Sequence, residues 1–197
     1  MTPQQVMEQA REILNDAGNV KPRFSDAKLL VFVNDWAKQL ARLVPSVFYQ
    51  AQELELAADE ETQSVSRSTT LGVADVLRNL DGTRIRKVAP EQIEEYLRFY
   101  APGSRVPELW APVVGDPWRF LVFPLPPADT TIKLITVLNP PDVAVGVTLI
   151  PQDDYRASAA NYVAARALMS NTSTADAGRA VGLLQMSASL AGMAGTS

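Results

Sequence analysis

Apolar positions along this chain change their spacing twice. From Thr2 to Pro45 they recur at three and four residues, the spacing of one helical face. Val6, Ala10, Ile13 and Leu14 make the first such face, and Thr2, Pro3 and Gln5 form its start signal. A threonine oxygen accepts from an orphan amide, proline suits the first turn, and the Gln5 side chain can reach back. Gly18 offers a stop. A second helix is predicted from the Ser25 cap through Leu29, Leu30, Phe32, Val33, Trp36, Ala37, Leu40, Leu43 and Val44 to Pro45. Its apolar face is wide, which predicts a central place in a helical core, and Trp36 on that stripe reads as packing rather than ligand stacking.

From about Gln50 the spacing shortens to two. "QELELA" alternates cleanly and "TQSVSRS" weakly, while "LGVADVLRNLDGTRIRKVA" predicts two strands meeting at Asp81-Gly82. "PEQIEEYLRFY" predicts a short helix with Pro90 in its first turn. Phe120 to Phe123 and Ile132 to Leu138 predict strands stopped by Pro124 and Pro140, since proline has no amide for a ladder. After Pro151 helical spacing returns. Asp153 or Asp154 is placed to cap a helix carrying Tyr155, Ala159, Tyr162, Val163, Arg166 and Ala167, and another helix is expected from Ser173 to Asp176 onward. The expected fold class is α+β: a mainly α-helical core from both chain ends with a small β-rich insertion in the middle. The expected division is N-terminal helices at 1–49, the β-rich insertion at 50–150 and C-terminal helices at 151–197.

Composition narrows the chemistry. The 197 residues suit one domain, or one domain with an insertion, and 47% hydrophobic with 20% charged residues suits a packed core. Eighteen basic against 22 acidic residues, a formal charge of −4, argue against a chain built to grip nucleic-acid phosphates. With no cysteine there are no disulfides or thiolate metal sites, and with no histidine the usual zinc ligand and general base are missing. The N-terminus lacks a secretory pattern and no apolar run approaches the roughly 18 to 20 residues of a membrane span, so assembly in the cytosol and no membrane partner are expected.

Charge is also distributed unevenly. Residues 49–150 hold 14 acidic and 9 basic side chains, residues 151–197 hold three of each, and no charge follows Arg179. Leu183, Leu184, Met186 and Leu190 line an apolar face there, opposite Ala, Ser and Gly. A lone surface helix normally carries charge on its outer face. The tail is therefore either a core helix with a frayed end or a docking segment for a partner, and the second reading is favoured.

No catalytic, cofactor-binding or metal-binding residues emerge. Glu94 with Glu95, Asp153 with Asp154, and the run Asp59, Glu60, Glu61 were weighed as acid/base pairs or hard-metal ligands. Adjacent helical carboxylates diverge and the run falls in a predicted turn, so solvated surface or capping is the simpler reading. The ten glycines form no phosphate-loop or dinucleotide pattern.

The order of features carries more. "RFSDAKLLVFVNDWAKQLARLVP" (23–45), "TQSV" (62–65), "VLRNLDG" (76–82), "DPWRFLVFPLPP" (116–127), "NPP" (139–141) and "IPQDDYRASAANYVAARAL" (150–168) together resemble the head-to-tail adaptors of tailed bacteriophages. Glu61 stands where such proteins often carry glycine, and Phe123 where they often carry tyrosine. The resemblance covers about residues 10 to 170. It implies a structural virion protein of the neck, not an enzyme: a homo-oligomeric ring of commonly about twelve copies beneath the portal. Such a ring would bind portal and tail or nozzle proteins, with genomic DNA passing through its channel without specific binding. Leu183, Leu184, Met186 and Leu190 become the expected portal contacts, and the acidic excess suggests a neutral to acidic channel. A tail-associated cell-wall hydrolase and another tail-completion protein stay open as alternatives.

Overall fold

The computed structural model describes residues 1–18, 22–99, 105–170 and 174–195. The chain divides into two compact units, one formed by Met1–Phe48 with Pro140–Ser197 and the other by Tyr49–Asn139.

The first unit is helical. Helix α1 (Pro3–Ile13) starts as expected: Thr2 Oγ1 accepts from the Gln5 amide, and the Thr2 amide donates to Gln5 Oε1 at 2.8 Å. It ends earlier than Gly18, because Asn15 takes the left-handed conformation at φ 54°. Helix α2 (Asp26–Leu43) is capped by Ser25, whose hydroxyl accepts from the Lys28 amide. Arg11 ties the two helices together, meeting Asp16 at 2.8 Å, Asp26 at 2.6 Å and the Phe24 carbonyl at 2.7 Å. Asp16 is buried and accepts the Arg23 amide as well.

A 3₁₀ turn (Asp153–Tyr155) leads into α4 (Arg156–Met169) in this unit, and α5 (Thr174–Ala194) follows. Ser173, an expected helix start, lies outside the described residues. The Asp153 side chain caps nothing; its Oδ1 meets the Met1 amino group at 2.9 Å. Ten residues of α4 are buried, so this helix runs through the centre of the unit among α1, α2 and α5.

The second unit holds two sheets. Strands β1 (Tyr49–Glu55), β3 (Thr70–Asn79) and β7 (Thr131–Leu138) form one, in the order β1-β7-β3 and antiparallel throughout. Strands β2 (Thr62–Ser64), β4 (Arg86–Lys87), β5 (Leu109–Val113) and β6 (Asp116–Phe123) form the other, in the order β2-β6-β5-β4. Helix α3 (Pro90–Phe99) packs on β5 and β6; Tyr100, the last residue of its predicted segment, lies outside the described residues. Both sheets contribute to one core, including Val76, Ile132 and Leu134 from the first and Trp110, Phe120 and Val122 from the second.

That core corrects the expected fold class. The chain is α+β, but it is not a mainly α-helical core from both chain ends with a small insertion. Its described residues form five α-helices and two sheets, and the sheet-rich middle is a compact unit with a hydrophobic core of its own. The reason is that the alternating runs form two sheets, not the one small sheet expected, and their inward residues meet between them and exclude water together.

One local expectation also changes. The chain does turn at Asp81-Gly82, with Gly82 at φ 95° and Asn79 accepting its amide, yet only a single bridge, Arg78 to Arg84, follows. The outgoing residues then join the other sheet as β4, parallel to β5. Pro112 lies inside β5. It is tolerated because β4 pairs only with Leu109 and Trp110, so no ladder partner is lost beside Pro112.

Candidate functional site

Polar residues inside the recurring sequence words hold loops in place. Gln63 of "TQSV" is buried and clamps the turn before it: its Oε1 accepts from the Ala57 amide at 2.8 Å, and its Nε2 donates to the Glu60 carbonyl at 2.7 Å and the Ala57 carbonyl at 3.0 Å. Asn34 makes a two-way pair with the Val143 backbone, accepting its amide at 3.1 Å and donating to its carbonyl at 3.3 Å. Asn79 Nδ2 donates to the Pro107 carbonyl at 2.8 Å. Asp116 accepts the Trp118 amide and pairs with Arg67 at 2.8 Å, while Trp118 Nε1 donates to the Thr70 carbonyl. A side chain bonded to backbone fixes an irregular segment that no ladder can fix. These residues are thus joints of the scaffold, tying helix and strand positions to the backbone of neighbouring loops.

Helix α5 is the main candidate contact element. Its buried residues, Ala180, Ser187 and Ala191, are seven and four apart and face α4. Small residues suit this packing because the α4 surface is itself rich in alanine, so the two backbones approach closely. Ser158 on α4 and Ser187 bond each other inside that contact, and Trp36 Nε1 donates to Ser158 Oγ at 3.4 Å. The small residues pack inward, and the large apolar ones are left partly outside. Leu183, Leu184 and Leu190 are half-buried, whereas Met186 and Val181 are 53% and 52% exposed. The seven-and-four spacing of small residues was the signal available for the packed face.

A shallow hollow of about 190 Å³ runs beside this contact, walled by Trp36, Leu40, Leu43, Tyr162 and Leu184. Gln39 Nε2 donates to the Tyr162 hydroxyl at 2.8 Å, and burial pushes the Tyr162 phenol up from its ordinary value. Leu43, at the mouth, is 66% exposed.

The carboxylates weighed earlier are scattered. Glu94 and Glu95 are exposed on α3, Asp59, Glu60 and Glu61 are exposed on a turn, and Asp153 is held below its ordinary pKa by the hydrogen bond and charge of the amino terminus. Among the described residues no group of three or more Asp and Glu could hold a metal ion, and no helix is long and apolar enough to cross a membrane.

Fold and surface together describe an α+β protein with loops clamped by side chains and a partly exposed apolar face on α5. A family model described as SU10 adaptor protein matches residues 1–197, and the chain belongs to that family. The resemblance to phage head-to-tail adaptors is thereby borne out across the whole length. Membership implies a structural adaptor of the virion neck, associated with phage portal and tail proteins. Comparison with curated proteins gives no match.

Proposed function

We propose that this chain assembles as a ring of about twelve copies beneath the portal, links capsid to tail and leaves a channel for the genome. It acts by assembly, with no catalytic, cofactor or metal site. Residues 151–197 are the C-terminal helices with a portal-docking tail, whose contacts are Leu183, Leu184, Met186 and Leu190. The observation that carries this reading is the outer surface of α5, where no charge follows Arg179 and where Met186, 53% exposed, shares a face with the half-buried Leu183 and Leu190. Such a face suits helix-in-groove recognition, in which apolar anchors at helical spacing fill a hydrophobic groove.

The test is native mass spectrometry of the chain mixed with the portal ring of the same genome. Wild-type protein is expected to saturate at an integral number of copies per ring. Because Ala180, Ser187 and Ala191 belong to the packed interior, truncation would damage the fold along with the contact. A surface substitution is cleaner: Met186→Glu is expected to lower occupancy about tenfold or more at unchanged thermal stability. Full occupancy by that variant would remove α5 from the portal contact, and no binding by wild type would remove the portal reading itself.

A further inference from the structure

The second unit carries its charges on opposite edges. Five acidic residues, Glu53, Glu55, Asp59, Glu60 and Glu61, fall within nine positions that contain no basic residue, and all five are exposed. They lie on β1 and on the turn leading to β2, which are one edge strand of each sheet. Four basic residues, Arg78, Arg84, Arg86 and Lys87, lie at the end of β3 and along the connection into β4, the opposite edge strands of the same two sheets. All four are exposed and none forms an ion pair with a described residue.

Across strands about 4.8 Å apart, these edges are separated by roughly 10 Å in one sheet and 14 Å in the other. The screening length at physiological salt is about 8 Å, so the two edges cannot neutralise each other within one chain. Asp75, Asp81 and Glu108 lie on the same edge, the first two accepting the Val76 and Thr83 amides at 2.9 and 2.7 Å, but none forms an ion pair with the four cations, which outnumber them. Arg119, opposite Ser64 in the register, sits beside the acidic edge and leaves it negative.

Both edges are also held in place. Gln63 clamps the turn that carries Asp59 and Glu60, and Lys87 Nζ lies 5.0 Å from the Trp110 ring centroid. The basic edge borders a hollow of about 610 Å³ walled by Val76, Leu77, Arg84, Arg86 and Lys87. A backbone fixed before contact loses little freedom on binding.

We infer that the occupant of each edge is a second copy of this chain, the basic edge of one subunit meeting the acidic edge of the next. A chain with opposite charge on opposite edges cannot place like edges together in a two-fold dimer without repulsion, but it joins head to tail, and head-to-tail contacts close into rings. The inference rests on the ring reading above and names the contact that builds the ring. A surface meant for nucleic acid would need only the basic edge, and the acidic one opposite it would repel phosphate.

The experiment uses two full-length variants, Arg84→Glu with Arg86→Glu, and Glu60→Lys with Glu61→Lys, counted on the portal ring by native mass spectrometry. Each variant alone is expected to lose multi-copy occupancy by about tenfold or more, because like charges then face each other. An equimolar mixture is expected to restore it, since each acidic-edged chain can alternate with a basic-edged one. Wild-type rings with unaffected single variants would overturn the edge contact while leaving the ring reading intact. Wild-type binding only as isolated copies would overturn both. Retained ring occupancy by Arg84→Glu with Arg86→Glu, together with lost affinity for duplex DNA by fluorescence anisotropy, would overturn it in favour of a nucleic-acid surface.

Discussion

Ser158 and Ser187 bond each other reciprocally, each hydroxyl donating to the other's main-chain carbonyl at 2.9 Å. The pair is buried and sets the register of α5 on α4. The two serines are unequal, however, because Ser158 Oγ also accepts from Trp36 Nε1. Ser187→Ala removes one donor and is expected to cost about 1 kcal/mol, while Ser158→Ala additionally strands the buried indole N–H and is expected to cost about 2 kcal/mol. Ser187→Leu should exceed both, since a close helix contact has no room for a large side chain. Urea unfolding of the three variants measures the order, and a Ser187→Ala loss larger than that of Ser158→Ala would contradict the geometry.

A pH prediction follows from the amino terminus. The Met1 amino group meets Asp153 at 2.9 Å and holds its carboxyl below the ordinary 3.8. A depressed folded pKa contributes stability that is present above the unfolded value and lost as pH falls through the folded one. Wild-type protein should therefore lose stability between pH 5 and the acid side of 3.8 more steeply than Asp153→Asn. Urea midpoints at pH 5 and near pH 3 compare the two, and parallel curves would show that the ion pair contributes nothing.

Legibility in the sequence follows how local each cause is. The caps at Thr2 and Ser25 depend on neighbours three residues away, and they form as read. The strand ending at Phe123 and the one ending at Leu138 also obey a local rule, the missing proline amide just beyond. What failed was non-local. Whether the strand after Asp81-Gly82 continues the hairpin or crosses to the other sheet depends on the offer from Leu109 and Trp110, more than twenty residues away. The face of α5 that packs was likewise set by the alanines of α4, a property of the partner helix and not of α5 itself. Gln63, Asn34 and Asn79 were visible only as family words, because their bonds to backbone at other positions leave no periodic trace.

The approach of the two sheets makes Gly72 irreplaceable. It sits at a register shift in β3 with φ 154°, and an added Cβ would lie 2.8 Å from both the Cβ and the carbonyl oxygen of Pro117. The carbonyl oxygen is backbone and cannot swing aside as a flexible side chain would. Gly72→Ala is expected to destabilise the protein by about 2 kcal/mol, against a few tenths for Gly146→Ala, which has open space around it. Thermal unfolding of both variants checks the contrast, and equal midpoints would mean that β3 and β6 separate without cost.

Helix α5 should be the part of the first unit that responds most to assembly. Its fully buried contacts are small side chains, whereas α4 buries ten residues including Tyr162, Val163 and Leu168. Opening α5 therefore exposes less apolar area than opening α4, and local opening free energy scales with that area. In the isolated chain, amide exchange of α5 is expected to be about ten to a hundred times faster than that of α4. Docking of Leu183, Met186 and Leu190 into a portal groove would cover the outer surface and slow α5 by at least about tenfold, leaving α4 nearly unchanged. Hydrogen exchange followed by mass spectrometry on the free chain and on the portal-bound assembly reads both values. Unchanged α5 exchange in an assembly that otherwise forms would place the portal contact on another surface of the chain.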